Sequence, residues 1–109
     1  MTQAESMACG IPQIVPEWSA LAEWPRGAVH YVPCTSTTVH PGGINTIGGL
    51  ADEQLFIEAL EKMYSDDQYR AELGKLGLDL MRSPDFSWDT ISDQFDSVFS
   101  DNTRKVIKQ

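Results

Sequence analysis

The sequence predicts an α/β fold: a partial, doubly wound parallel sheet of two to three short strands, with flanking helices and a helical C-terminal tail. Two short β-branched runs, 12–16 and 27–32, alternate with short helical stretches, and helical periodicity dominates 51–109. Alternating strands and helices are typical of parallel sheets. Such sheets are normally several strands wide, so we expect this one to be part of a wider sheet.

The first two elements are a helix and a strand. Residues 2–9 are rich in Ala, Glu and Met, which favour a helix. Gly10 is a typical residue just past a helix end, and Pro12 prevents the helix from continuing. Residues 12–16 read PQIVP, a short β-branched run between prolines, and therefore predict a buried strand.

A second helix–strand pair and a long loop follow. Residues 19–24 suit one or two helical turns, which end at Pro25. Residues 27–32 predict a second strand that ends before Pro33. The stretch 34–49 is rich in Thr and Gly, and we interpret it as a loop whose last residues, from Ile47 to Leu50, form one short extended segment.

The remainder of the chain predicts three helices. Asp52, Asp66 and Ser87 are good N-caps, and Ser83-Pro84 ends the middle helix. The apolar residues recur at helical spacing, which predicts a buried stripe on the first helix, a core or interface stripe on the second and an apolar face on the third. These are Phe56, Leu60 and Met63; Tyr69, Leu73, Leu76 and Leu80; and Trp88, Ile91, Phe95, Val98 and Phe99. We expect a single domain over 1–109, with an α/β part at 1–50 and a helical part at 51–109.

Composition and charge exclude several classes of function. The chain has 109 residues, 41% hydrophobic and 22% charged, with a net charge of −8. This charge disfavours nucleic acid and anionic membrane surfaces as partners. No apolar run is long enough to span a membrane, and the N-terminus lacks a secretory pattern. Three basic residues, Arg104, Lys105 and Lys108, are interpreted as a solvated terminus.

The cysteines and histidines do not predict a metal site. Cys9 and Cys34 have no C-x-x-C partner, and His30 and His40 form no ligand pattern with them. We expect both thiols to be reduced and buried in a cytoplasmic protein. We expect both histidines to be structural, His30 in a strand and His40 in a loop.

One block carries a resemblance to a known family. Residues 4–15 read AESMACGIPQIV and resemble the E-A-M-A-x-G-x-P-V-I/V segment of glycosyltransferase family 4 and its relatives, also known as group 1 glycosyl transferases. Further similarities follow in order at 19–23, at 48–52 (GGLAD) and at 86–88 (FSW). The resemblance covers almost the whole chain. It implies the GT-B arrangement, in which two Rossmann-like domains face each other across a cleft, and makes 1–109 the C-terminal part of the nucleotide-sugar-binding domain.

The resemblance also implies site residues. Glu5 corresponds to the second glutamate of the family's E-x7-E signature, which accepts hydrogen bonds from the donor's ribose hydroxyls. Thr2 would lie near the donor phosphates and contribute through its backbone. The first glutamate would fall before Met1, and the family's phosphate-binding basic residues and acceptor domain would lie further upstream. No catalytic residue is therefore assigned within the chain, and no metal or other cofactor is expected.

The implied function is that of a fragment of a retaining glycosyltransferase, inactive alone. The intact enzyme would move a sugar from a nucleotide-diphosphate donor to an unknown acceptor. The alternative is a non-enzymatic module that forms homo-oligomers or docks on a partner such as the missing N-terminal half. A small binding domain unrelated to transferases would not explain residues 4–15. Trp18 and Trp24 could stack on a ligand ring, but we expect them to pack against the sheet or a partner domain.

Overall fold

The computed structural model describes residues 2–39 and 46–107, with side chains described as far as residue 100. It confirms a mixed α/β chain with short strands and a helical C-terminal part. The elements are α1 (Thr2–Ala8), β1 (Ile14–Glu17), α2 (Ala20–Glu23), β2 (His30–Val39), β3 (Ile47–Ala51), α3 (Glu53–Ser65), α4 (Asp67–Met81), a 3₁₀ turn (Pro84–Phe86) and α5 (Trp88–Ile107).

The sheet is mixed rather than parallel throughout. Its order is β1-β2-β3. The pair β1–β2 is parallel, with Val15 opposite Tyr31, whereas β2–β3 is antiparallel, with Thr37 opposite Gly49. The prediction of a parallel sheet is therefore right for the first pair and wrong for the second. An antiparallel pair needs no crossover helix, so β3 can follow β2 without one.

The prediction of a loop over 34–49 is wrong at its start, whereas the extended segment predicted at its end is confirmed. Strand β2 continues to Val39, and β3 begins at Ile47 and extends one residue past the expected segment, to Ala51. Thr and Val have high strand propensity because their branched side chains suit a pleated surface. Residues 34–39 of β2 pair with β3 in a two-stranded ribbon that is mostly exposed. Its strands therefore need no apolar face, and their composition resembles that of a loop. The loop residues 40–45, including His40, lie outside the described residues.

Pro33 lies inside β2 rather than after its end. Residues 30–33 of β2 pair with β1, and residues 34–39 pair with β3. Pro33 is the last residue of the first group, and its carbonyl accepts a hydrogen bond from the Asp52 N–H at 2.8 Å. Because proline lacks an N–H, it fits where the strand changes neighbours. A register irregularity follows directly, between Cys34 and Ser36.

The predicted helix caps are confirmed. Asp52 accepts a hydrogen bond from the Leu55 N–H at 3.0 Å, and Asp66 accepts one from the Tyr69 N–H at 2.8 Å. The Ser87 hydroxyl accepts one from the Thr90 N–H at 3.2 Å. Each cap satisfies an N–H group that has no partner within its helix.

The core lies between the sheet and the helices. Met7, Val15, Ala28 and Val29 form one buried cluster, and partly buried side chains pack against it: Trp24, Tyr31, Leu80 and Met81. The predicted apolar stripes are buried only in part. Met63 and Leu73 are buried, but Leu60 and Leu76 are about half exposed, at 49% and 52%. The prediction that Leu60 is buried is therefore wrong within the described chain, whereas the exposure of Leu76 leaves only the interface alternative for that residue.

Two glycines of α4 allow α1 to approach closely. A Cβ atom on Gly74 would clash with the carbonyl oxygen of Gly10. A Cβ atom on Gly77 would lie 3.4 Å from the Met7 side chain, an ordinary contact. Only Gly74 requires the absence of a side chain, because its close neighbour is backbone.

The last helix projects from the core. The radius of gyration is 18.6 Å, against about 13 Å for a compact domain of this length. Helix α5 contacts the 3₁₀ turn at its start. Its described apolar side chains are largely exposed: Trp88, Phe95, Val98 and Phe99.

Substitution of Gly74 tests the contact between α1 and α4. We expect Gly74→Ala to lower the free energy of unfolding by about 1–2 kcal/mol, because overpacking against backbone outweighs the helix-propensity gain of alanine. Gly77→Ala is the matched control, since its new methyl group makes only an ordinary contact. Urea denaturation of both variants measures the difference. A Gly74→Ala variant as stable as Gly77→Ala would contradict this packing.

Candidate functional site

Helix α1 presents the residues that the sequence singles out. Glu5 lies in its first turn with an exposed side chain, and its carboxylate makes no hydrogen bond to any described residue. Thr2 is the first residue of α1, and its carbonyl accepts a hydrogen bond from the Ser6 hydroxyl at 2.9 Å. The N–H groups of a helix's first turn have no acceptor within the helix. Both predicted residues therefore lie at one end of α1 with hydrogen-bonding groups available.

The opposite face of α1 fixes the helix to the core. Met7 is fully buried, at 0% exposure, and its side chain packs on Gly77 of α4. The turn after α1 ends at Gly10, whose φ of 73° lies in the left-handed region that glycine adopts without strain. The N–H of Ile11 then bonds back to the Ser6 carbonyl at 3.0 Å. Because Glu5 and Met7 are two residues apart on a helix, anchoring Met7 directs Glu5 toward solvent.

Gln3 adds a polar group that sequence reasoning missed. The Nε2 atom of Gln3 is buried without a hydrogen-bond partner in the described part of the chain. An unsatisfied buried donor costs about 1–3 kcal/mol, so such groups are uncommon in complete structures. No sequence signal marks this glutamine, because its burial depends on tertiary packing.

The described residues contain no group of three or more His, Cys, Asp or Glu side chains that could hold a metal ion. Both cysteines are free, but Cys9 is exposed and Cys34 is half-buried. The expectation that both are buried is therefore wrong. Cys9 lies past the end of α1, on the solvent side of the turn, and Cys34 lies where β2 changes neighbours.

A second polar cluster lies between β2, α3 and α4. His30 Nδ1 and the Tyr69 hydroxyl are 2.6 Å apart, and the two rings meet edge to face. The Lys62 ammonium lies 3.9 Å from the centroid of the Tyr69 ring. His30 is thus a satisfied structural histidine, as predicted. The sequence did not reveal its partner, which lies 39 residues further along the chain.

The β2–α3 cavity opens beside this cluster. We use this name for a space of about 220 Å³ whose lining includes His30 and Pro33 from β2 and Leu55, Glu58, Ala59 and Lys62 from α3. Burial lowers the pKa of His30 below its ordinary value, and the nearby Lys62 charge lowers it further. Burial, followed by the Asp66 charge, raises the pKa of Tyr69. Because its pKa is lowered from 6.5, the His30 imidazole is neutral at pH 7.

Trp18 and Trp24, which we expected to pack rather than to stack on a ligand, both pack within the chain. The Trp18 ring lies on β3, where a Cβ atom on Gly49 would be 2.5 Å from its Cδ2 atom. Trp24 packs against the buried cluster and meets Phe86 edge-on at 6.1 Å.

Arg26, which has no counterpart in the family resemblance, pairs with Asp85 at 2.7 Å. Both charged groups are more than half exposed, so the pair contributes little stability.

Comparison with known proteins does not identify a family for this chain. No family model matches the chain, and no curated protein is significantly similar to it. Within 2–39 and 46–107, no helix combines the length and the apolar character that crossing a membrane requires.

The Lys62 charge can be tested through the titration of His30. The pKa of His30 in the folded chain lies below the ordinary 6.5. As the pH falls, His30 is therefore protonated in the unfolded chain before it is protonated in the folded chain. The stability associated with neutral His30 is thus present above pH 6.5 and is lost as the pH falls through the folded pKa. We expect Lys62→Met to raise the pKa of His30, measured by NMR titration of the ring protons. An unchanged or lower pKa would contradict the assigned cause.

Proposed function

We propose that this chain is the C-terminal part of the donor-binding domain of a retaining GT-B glycosyltransferase and that it is inactive alone. In this proposal Glu5 accepts hydrogen bonds from the ribose hydroxyls of a nucleotide-diphosphate sugar. The backbone N–H of Thr2 lies beside the diphosphate. The intact enzyme transfers the sugar to an acceptor bound by a second domain, in a cytoplasmic setting.

The exposed carboxylate of Glu5 is the observation that carries the proposal. An ionised carboxylate accepts hydrogen bonds only, and it can take two hydroxyl protons at once. A ribose diol supplies two such hydroxyls on adjacent carbons. Glu5 is reachable by a ligand because it has no described partner, and it is held by the buried Met7 on the same short helix.

The surroundings of Glu5 support the same proposal. A helix that ends at Gly10 and leads into β1, which pairs in parallel with β2, has the order expected of a partial Rossmann-like domain. The unsatisfied amide of Gln3 lies on the Met7 side of α1, away from Glu5, where the rest of an intact domain would supply an acceptor. The antiparallel β3 is an addition at the edge of such a sheet and is common in α/β folds.

The proposal also explains why the fragment would not catalyse sugar transfer. Catalysis in this class depends on stabilising the leaving diphosphate and on positioning two substrates across a closing cleft. In the family that residues 4–15 resemble, the basic residues that neutralise the donor diphosphate precede this segment. Within the described chain, Arg26 and Arg70 are instead paired with Asp85 and Asp67. We therefore expect weak donor binding without turnover.

Titration with nucleotide sugars tests this proposal. UDP- and GDP-sugars added to ¹⁵N-labelled protein, up to about 10 mM, should shift the amide resonances of residues 2–6 and leave those of α5 unchanged. Glu5→Gln should remove most of the effect because an amide replaces one acceptor oxygen with a donor. Glu23→Gln, an exposed glutamate on α2, is the matched control and should behave as the wild type.

Two outcomes of the titration would contradict the proposal. Micromolar binding would show that the chain holds a complete donor site. Shifts that survive Glu5→Gln, or none at about 10 mM, would remove the ribose role of Glu5.

A second candidate function is a module that oligomerises or docks on a protein partner. The exposed apolar side of α5 favours it: Trp88, Phe95 and Val98 are 79%, 57% and 56% exposed. Phe95 and Phe99 stack with their ring centroids 6.3 Å apart, forming one apolar surface. A contiguous exposed patch of this kind marks an interaction surface more often than isolated apolar residues do.

Sedimentation velocity tests this second function. We expect the wild-type chain to sediment as a species larger than a monomer at high concentration and Phe95→Ser to restore the monomer, because it removes the centre of the apolar patch. Tyr64→Ser is the control, since Tyr64 is an exposed aromatic residue of α3 outside this patch. A wild-type chain that stays monomeric throughout would count against self-association.

A further inference from the structure

The β2–α3 cavity is a separate site from the one proposed on α1. Its lining comes from the first residues of β2 and from α3, and no residue of α1 contributes to it. Its volume of about 220 Å³ is below the roughly 300–1,000 Å³ of pockets that enclose drug-sized ligands. The cavity would not enclose a nucleotide sugar, which favours a smaller ligand.

Two opposite charges line the cavity without neutralising each other. Glu58 and Lys62 are four residues apart on α3, the spacing at which such residues commonly form an ion pair. Among the described contacts they do not. Glu58 instead accepts a hydrogen bond from Gln54 Nε2 at 3.1 Å, and the Lys62 ammonium lies over the Tyr69 ring. Each charge therefore remains available to a ligand of the opposite sign.

The rest of the lining is apolar or uncharged. Pro33, Leu55 and Ala59 provide carbon surface between the two charges. The Nδ1 atom of His30 is engaged with Tyr69, so this imidazole offers a ligand only its Nε2 atom. A complementary ligand thus carries one positive group, one negative group and an apolar body.

We propose that the β2–α3 cavity binds a free α-amino acid with an aromatic or large aliphatic side chain. The carboxylate of the ligand pairs with Lys62, its ammonium pairs with Glu58, and its side chain packs on Leu55 and Ala59. The zwitterion also adds no net charge to the cavity, and it places an opposite charge beside each of these two exposed side chains.

Titration of the full chain with L-phenylalanine tests this site. We expect the resonances of His30, Glu58 and Lys62 to shift as binding saturates. N-acetyl-phenylalanine lacks the ammonium group and phenethylamine lacks the carboxylate. Each analogue should bind at least about tenfold more weakly than L-phenylalanine. The first leaves Glu58 without a partner, and the second leaves Lys62 without one.

Variants of α3 complete the test. Glu58→Gln and Lys62→Met should each weaken L-phenylalanine binding by about tenfold. Glu61→Gln, an exposed residue of α3 outside the cavity, should leave it unchanged. Circular dichroism checks that each variant remains folded.

The proposal is overturned if the two analogues bind as well as L-phenylalanine. It is also overturned if the shifts map away from β2 and α3, or if L-phenylalanine produces none at about 10 mM. The experiment uses no nucleotide and changes no residue of α1. Its failure would therefore leave the glycosyltransferase proposal intact, and failure of that proposal would leave this one intact.

Discussion

The close contact between α1 and α4 determines where the candidate donor-binding residues lie. Gly74 lets the backbone of α4 approach the carbonyl of Gly10, and Gly77 accommodates the buried Met7. A seven-residue helix is too short to be stable by itself, so this packing must hold it. The exposed position of Glu5 depends on the anchoring of Met7 on the opposite face of α1. The proposed chemistry of the chain thus rests on the close approach at Gly74, a residue far along the chain from Glu5.

The remaining surfaces are consistent with a chain that functions beside other protein. The unsatisfied Gln3 amide and the exposed apolar face of α5 each cost free energy in the isolated chain. Under the proposed function, the rest of the enzyme offsets both costs. Under the second function, a partner or another copy covers α5. The His30–Tyr69 pair differs, because His30 Nδ1 and the Tyr69 hydroxyl satisfy each other within the chain.

The sequence predicted those elements whose signals are local. The helix caps were predictable, because each one depends only on a side chain and the backbone N–H three residues after it. The capping residues are Asp52, Asp66 and Ser87. The sequence could not predict the length of β2, since an exposed ribbon of Thr and Ser has no apolar alternation. It also could not predict that Leu60 and Leu76 stay half exposed, because that depends on which elements cover each helix. In the candidate site, Glu5 was identified by motif, whereas the buried amide of Gln3 depends on tertiary packing.

Saturation-transfer difference NMR with UDP tests the central claim most directly, because it reports which ligand protons touch the protein. The account predicts the strongest saturation on the ribose 2′ and 3′ protons and its loss in Glu5→Gln. Strongest saturation on the uracil protons, or an identical pattern in wild type and Glu5→Gln, would contradict the claim that Glu5 binds the donor ribose.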